Sequence, residues 1–305
     1  MFKREEIVIK IFHGDVFEKI KYIPDDSIDC IITSPPYWQL RDYGVEGQFG
    51  LEEDFKEYIE KLCQLFDECW RVLKDTGTVF VNLGDTYSNI NSKFVFGVNN
   101  KNYNIDKQVA KTRKKTNIRR KSKMMIPERF AIAMIERGWI LRNEIIWHKP
   151  NIVPEAVKDR FTNDFEKIFF FTKNEKYFFE KQYEAFSEKT LTAFKDGIMP
   201  TGKKKILSAA AYNEKGRNMR TVWKIATKGI PEAHFATFPE ELVKRCILAG
   251  CPENGVVLDP FCGSGTTLKV AKNLNRNGIG IELKEKFIEI SKKRISDLFN
   301  KVEIR

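Results

Sequence analysis

Apolar positions along the chain switch between two spacings, and the switches mark its elements. Ile7 to Phe12 alternates as a short strand running into "HGD" (His13, Gly14, Asp15). Ile28 to Thr33 is continuously apolar enough to be a strand buried on both faces. From Glu53 to Leu73 the pattern changes: Phe55, Tyr58, Ile59, Leu62, Leu65, Phe66, Cys69, Trp70 and Leu73 recur three and four apart, which predicts one amphipathic helix. "TGTVFVNLGD" then reads as turn, strand and loop, with Asp85 just past the strand. Pro127 to Gly138 is a helix opened by Pro and closed by Gly. Two further strands follow in "WILRNEIIWHKP" (Trp139 to Pro150) and "FEKIFFFTK" (Phe165 to Lys173). Near the C-terminus "FPEELVKRCILAG" is a helix with Pro239 near its start and Gly250 at its end. A strand (Val256 to Asp259), a Gly-rich turn, a helix from Thr266, a strand (Ile279 to Glu282) and a helix from Lys284 complete the series.

Strands alternating with helices predict an α/β fold built on a doubly wound, mostly parallel, Rossmann-like sheet. Two stretches lack the periodicity. Ser88 to Met125 is Asn-rich and basic, and reads as an insertion that orders on its ligand; Tyr183 to Ile230 reads as a small appended module. The chain therefore divides into core at 1–87, a basic insertion at 88–125, core at 126–182, a module at 183–233 and core at 234–305.

One strand ends unusually. After Ile32 comes "TSPPYW", Thr33 to Trp38. Proline lacks an N–H and fixes φ, so Pro35 and Pro36 end the ladder there. Ser34 and the aromatics Tyr37 and Trp38 are then presented at the strand's carboxyl end, the edge where open α/β sheets bind ligands.

Composition narrows the class. The 305 residues are 42% hydrophobic and 31% charged, as expected of a globular protein with a sizeable core. The N-terminal stretch "MFKREEIVIKIF" has no long apolar run, and no segment has the length of a membrane span, so a cytoplasmic protein, in the prokaryotic cytosol or nucleoid, is expected. The six cysteines form no CxxC pair and fall in apolar segments, so buried, reduced thiols are expected and no metal site. The net charge is +11, and its location matters more than its size. Lys101 to Lys123 carries +9 and Glu184 to Glu232 carries +5, which leaves −3 for the remainder. Two basic segments on a mildly acidic body point to a polyanion, nucleic acid above all. Arg113, Lys114, Lys115, Arg119 and Arg120 in the first segment, and Lys203, Lys204, Lys205, Arg217 and Arg220 in the second, suit phosphate contacts.

"VVLDPFCGSGTTLKVA" is strand, tight turn and helix. Gly263 and Gly265 allow the backbone to turn sharply and approach a ligand closely. Phe261, Cys262, Ser264, Thr266 and Thr267 complete the turn. A phosphate-binding P-loop would need a Lys that is not here, and a dinucleotide site would want Gly where Leu268 stands. Glu282, at the end of the next strand, can accept hydrogen bonds from both hydroxyls of a ribose, and Asp259 suits a cationic ligand end. S-Adenosylmethionine, a phosphate-free adenosine compound, fits that pair best.

Together "TSPPYW" and "LDPFCGSGTT" resemble the DNA amino-methyltransferases, and the order of the two motifs is that of their circularly permuted beta class. The resemblance extends to "HGD", "GWILRNEIIWHKPN", "FTNDFEKIFFFTK" and "HFATFPEELV". It implies that Ser34 and the Pro35 carbonyl accept hydrogen bonds from an exocyclic amino group, with Pro35 and Pro36 holding that carbonyl in place. Tyr37 would stack on a base flipped out of the duplex. His234 and Phe238 would lie in the helix closing over the methionine end of the cofactor. Asp15 either caps a turn or holds the cofactor's adenine amino group, and His148 and His234 each read equally as structural or site residues. The segment 183–233 occupies the place of a target-recognition region. The chemistry implied needs no metal and no nucleophilic Cys.

Ser at the first motif position leans towards the 4-amino group of cytosine, with the 6-amino group of adenine as the alternative. A catalytically inactive nucleic-acid-binding protein on the same fold is the other class of reading. The partners implied are double-stranded DNA and a cognate restriction endonuclease, for a monomer or homodimer away from membranes.

Overall fold

The computed structural model describes residues 7–88, 117–152, 154–195, 215–227, 238–296 and 302–304. The strands are β1 (Ile9–His13), β2 (Ile28–Thr33), β3 (Leu73–Leu83), β4 (Ile140–His148), β5 (Phe165–Thr172), β6 (Tyr183–Glu184), β7 (Arg217–Asn218), β8 (Val222–Lys224), β9 (Val256–Asp259), β10 (Asn277–Glu282) and β11 (Val302–Ile304). The α-helices are α1 (Val16–Lys19), α2 (Phe55–Val72), α3 (Ile126–Glu136), α4 (Glu188–Lys195), α5 (Glu240–Gly250), α6 (Thr266–Asn273) and α7 (Glu285–Ile295). Nine strands form one sheet in the order β11-β1-β10-β9-β2-β3-β5-β4-β8, and β6 pairs with β7 separately. Only the β3–β5 and β4–β5 pairings within the large sheet are antiparallel. The expected mostly parallel α/β sheet is the one observed. Its strand order also shows the permutation, because the C-terminal β9 and β10 sit between the N-terminal β1 and β2.

Strand β2 is buried at all six positions, as a central strand covered on both faces must be. Its alternate residues feed opposite sides of the sheet. Ile31 joins Val79, Val81, Phe169 and Phe171 beneath α2 and α3, while Cys30 and Ile32 join Phe80, Ile168 and Phe170 beneath α5. Helix α2 buries nine side chains from Phe55 to Val72, and the fully buried aliphatic and aromatic ones contribute roughly 1.5–3 kcal/mol each. Asp54 caps it by accepting from Lys56 N at 2.8 Å.

Three local features go beyond what the sequence pattern displays. No turn separates α2 from β3: the chain becomes extended at Leu73, and the β2–β3 register shifts between Ile28 and Cys30. Asp85 caps α3, accepting from Met125 N and Ile126 N at 3.1 Å each. Third, the 183–233 segment is not wholly an appended module. Val222–Lys224 adds β8 to the main sheet in parallel with β4, and Trp223 and Ile225 are buried in the core. Three residues give too short a pattern for periodicity to reveal. Among the described residues no helix is long and apolar enough to cross a membrane. All six cysteines are buried free thiols.

Candidate active site

The carboxyl ends of β2 and β9 lie side by side in the sheet, and a cleft of about 270 Å³ opens there. Its lining joins "TSPPYW" and "LDPFCGSGTT", two motifs near opposite ends of the chain. Ser34, Pro35, Pro36 and Tyr37 come from the end of β2; Asp259, Phe261, Cys262, Gly263, Ser264 and Thr266 come from the turn after β9. Asp15, Glu282 and Phe238 complete the wall.

The β2 end is rigid for identifiable reasons. The Tyr58 hydroxyl, on α2, donates to the Pro36 carbonyl at 2.9 Å, and Leu40 N donates to the Tyr37 carbonyl at 3.2 Å. The Pro35 carbonyl accepts no hydrogen bond among the described residues. Trp38 is buried, with its indole N–H donating to the Glu52 carbonyl at 2.9 Å, so it supports the loop. The Tyr37 ring lies on Gly84, where an added Cβ would come within 2.5 Å of its Cε2.

Tyr37 is also fixed at its far end. Its hydroxyl donates to Glu166 Oε2 at 2.7 Å, and accepts from Asn82 Nδ2 at 2.6 Å and from Ser34 Oγ at 3.3 Å. Asn82 Nδ2 also donates to Glu166 Oε2 at 2.8 Å. Lys149 is ion-paired with the other oxygen of the same carboxylate. Burial, with the Glu166 charge second, holds the Tyr37 hydroxyl well above its usual pKa, so it stays protonated and donating.

Asn82, Lys149 and Glu166 are not among the residues expected from the sequence. The available signal was weak: each carries a polar group at or near the end of an otherwise apolar strand. Asn82 and Glu166 meet because β3 and β5 are antiparallel, with Asn82 opposite Ile168 and Glu166 two residues away on the same face.

The turn after β9 is held from both sides. Gly265 has φ +75° and Gly263 φ +50°, backbone conformations that L side chains rarely adopt. Asp259, 1% exposed, accepts from Thr33 Oγ1 at 2.8 Å, Phe261 N at 3.1 Å and Thr267 Oγ1 at 2.6 Å. One carboxylate thus ties the last residue of β2 to the Gly-rich turn. Glu282 accepts from Gly263 N at 2.9 Å and Lys284 N at 2.8 Å. Burial pushes the Asp259 carboxyl up to about 6 and the Glu282 carboxyl up to about 7. A cleft walled by two such carboxyls disfavours a phosphate and favours a cation or hydroxyl donors. Both acids have structural partners that their sequence positions alone did not indicate. The remaining turn residues are placed by α6 and α7, where Arg294 binds the Ser264 carbonyl at 2.6 Å and Thr266 Oγ1 at 3.1 Å.

Other expected residues fall elsewhere. Asp15 lines the cleft but also caps α1, accepting from Phe17 N at 2.9 Å. His148 faces Asp164 at 3.3 Å. Arg217 and Arg220 both pair with Glu184, at 2.8 and 2.6 Å, in the small β6–β7 sheet and not at the cleft. Arg119 and Arg120 are exposed, in the segment that hydrogen-bonds to the chain just beyond β3. Arg113, Lys114, Lys115, Lys203, Lys204, Lys205 and His234 lie outside the described residues.

Comparison with known proteins gives a consistent picture. A family model for DNA methylases of the N6/N4 type matches residues 28–293. The chain is 39% identical to the Type II methyltransferase M.Cfr9I of Citrobacter freundii, over 93% of this chain and 87% of that protein. It is 38% identical to the Type II methyltransferase M.SmaI of Serratia marcescens, over 94% and 90%. Among solved structures, the PvuII DNA methyltransferase (cytosine-N4-specific) superposes with a TM-score of 0.64 at 19% identity, covering 96% of this chain and 90% of that one. A DNA modification methylase of Thermus thermophilus, described as putative and complexed with S-adenosyl-L-methionine, superposes with a TM-score of 0.60 at 21% identity, over 97% and 98%.

Proposed function

The chain belongs to the N6/N4 DNA methylase family, and we propose that within it the protein transfers a methyl group from S-adenosylmethionine to the 4-amino group of a flipped cytosine at a specific duplex site. One observation carries the assignment of an amino-group acceptor. Of the three successive carbonyls just past β2, those of Pro36 and Tyr37 are taken by Tyr58 and Leu40, whereas that of Pro35, itself a residue of the cleft wall, has no partner among the described residues.

An exocyclic amino nitrogen is a poor nucleophile because its lone pair is delocalised into the ring. Two acceptors on its N–H groups favour the pyramidal form and hold it in place. Ser34 Oγ is the second acceptor: its own proton is directed at the Tyr37 oxygen and one lone pair accepts from Asn82 Nδ2 at 3.4 Å, which leaves the other lone pair for the amino group. The prolines and Tyr58 keep this pair preorganised, so that little reorganisation accompanies the development of charge. Tyr37, seated on Gly84 and anchored by Glu166 and Asn82, offers its ring as the stacking surface for the base.

The residues of the turn fit the cofactor. S-Adenosylmethionine, when bound, supplies an electrophilic methyl group on a sulfonium centre. Above about pH 6 and 7, where Asp259 and Glu282 ionise, the two give the cleft the negative character that a sulfonium calls for, and Glu282 keeps lone pairs for ribose hydroxyls. Phe261 packs edge-on to Phe49 at 5.0 Å and forms the apolar wall beside them. His234, Phe238 and Asp15 belong to the same proposal, as do double-stranded DNA as substrate, a cognate endonuclease as partner and the bacterial cytoplasm as setting.

Ser34 supports cytosine over adenine. The test is to express the protein in cells lacking other DNA methylation, digest the DNA to nucleosides and analyse them by mass spectrometry. N4-Methylcytosine is expected; N6-methyladenine as the sole product would overturn the base assignment.

A further inference from the structure

We propose that Phe161 is a wedge that enters the DNA stack beside the target base, an assignment that rests on the methyltransferase reading above. Phe161 is 97% exposed, whereas the next most exposed large hydrophobic side chain among the described residues, Tyr22, is at 69%. Single apolar residues on a surface are common. Three observations separate this one from that background.

The first is position. Phe161 lies in the segment 149–164 joining β4 to β5. Strand β5 is antiparallel to both β3 and β4, so this connection leaves from the same sheet edge that carries Ser34–Tyr37. It begins at Lys149, which lines the cleft, and returns at Glu166, which anchors Tyr37.

The second is support. Residues on both sides of Phe161 are tied down. Lys121 is ion-paired with Asp159, and the Arg160 guanidinium lies 4.2 Å from the Tyr87 ring centroid and 2.6 Å from Glu155. Beyond it, Lys123 Nζ donates to Asn163 Oδ1 at 3.3 Å, and Lys149 N donates to the Asp164 carbonyl at 2.8 Å. The loop is fastened at four points while its one large aromatic side chain projects into water.

The third is charge. The strip that fastens the loop is the end of the basic segment. Arg119 and Arg120 are exposed on it and Lys158 is exposed on the loop itself, while Lys121 offsets the exposed Asp159. An apolar side chain framed by cations suits a duplex, whose phosphates meet the cations while its stacked bases receive the ring. A base drawn out of the stack leaves a gap lined by two aromatic faces. Phe161 filling that gap stabilises the opened duplex, and so acts on the flipping step rather than on methyl transfer.

The experiment compares wild type, Phe161→Ala and Phe161→Trp under single-turnover conditions. The substrates are two duplexes carrying the sequence that the wild type methylates in cells. In one the target base is normally paired; in the other it faces an abasic site, so that flipping is already favoured. On the paired duplex, Phe161→Ala is expected to slow methylation roughly 5- to 150-fold, the range for losing one aromatic–base stack. Phe161→Trp should stay near wild type. Opposite the abasic site, Phe161→Ala should recover to within about threefold of wild type, a selective rescue expected only if the residue acts on flipping. Because the side chain makes almost no contact in the free protein, the melting temperature should not move.

Equal rates for Phe161→Ala and wild type on the paired duplex would overturn the proposal. So would an equal loss on both duplexes, which would mark a general docking contact, or a change in oligomeric state with methylation intact, which would mark a contact between copies. Failure of the expressed protein to methylate any sequence in cells would overturn the methyltransferase reading itself, together with the wedge.

Discussion

Replacing Asp259 by Asn should make the free protein more stable and less able to bind its cofactor, and the stability gain should depend on pH. Burial raises the Asp259 carboxyl from 3.8 to about 6. At ~1.4 kcal/mol per pH unit, that gap corresponds to ~3 kcal/mol. The sign follows from proton binding. The folded chain holds this proton more firmly than the unfolded chain, so the carboxyl's favourable contribution is fully present below about pH 4 and is lost as pH rises through about 6. Above that, the ionised form costs the full ~3 kcal/mol.

Asn cannot ionise. Its Oδ1 can keep the bonds from Thr33 and Phe261 N, while its Nδ2 replaces an acceptor with a donor towards Thr267. Losing one charge-assisted bond costs ~1–2 kcal/mol, which leaves a net gain of ~1–2 kcal/mol at about pH 8, or a few °C in Tm. Near pH 5 wild-type Asp259 is largely protonated, and the advantage should vanish or reverse. Thermal unfolding of both proteins across that range, followed by circular dichroism, measures the difference directly. Calorimetry at about pH 8 should show weaker S-adenosylmethionine binding by the variant. A Tm difference that does not change with pH would refute the argument that burial of charge sets the energetics here. Unchanged cofactor affinity would show that the carboxylate only ties strand to turn.

Ser34→Ala and Tyr37→Ala should each lower single-turnover methylation at least ~100-fold while leaving S-adenosylmethionine affinity within about threefold; parallel loss of cofactor binding would place them in the wrong half of the cleft. Glu166→Gln leaves the Lys149 ammonium without its counter-charge and loosens Tyr37, so turnover should fall and stability should drop ~1–3 kcal/mol. Adding Lys149→Met should restore the stability but not the rate, and a double variant as active as wild type would remove the network from the mechanism. Cofactor affinity should rise with pH as Asp259 and Glu282 ionise, at up to about tenfold per pH unit and per group below about 6 and 7 respectively. A titration series that is flat from about pH 5.5 to 8 would contradict a requirement for the ionised forms.

The pattern of the chain was informative wherever one local rule sufficed. Burial on both faces made β2 a central strand, two prolines marked its end, and 3.6-residue spacing gave α2 within two residues at each end. The Gly-rich turn was legible because only a backbone at positive φ needs Gly263 and Gly265. These are properties of neighbouring residues, and a sequence displays neighbours directly. The short β8 was not legible, since its partner β4 lies 74 or more positions away and three residues carry too little periodicity.

The environment of Tyr37 was decided only in three dimensions. Asn82, Lys149 and Glu166 are each one polar residue on a strand or its end, and nothing local marks them as partners. They converge because β5 runs against β3 and β4, which brings its first residues to the edge where those strands finish. The same reversal places the β4–β5 loop, which carries Phe161, at the sheet edge where the cleft opens. Asp259 shows both levels at once. Its place at the end of an apolar strand, before a Gly-rich turn, is what the proposed cofactor role rests on, whereas its bonding to Thr33, 226 residues earlier in the chain, exists only because β9 inserts next to β2. Residue types and their local spacing named the chemistry; the strand order of the sheet, a long-range property set by packing, decided which groups meet to perform it.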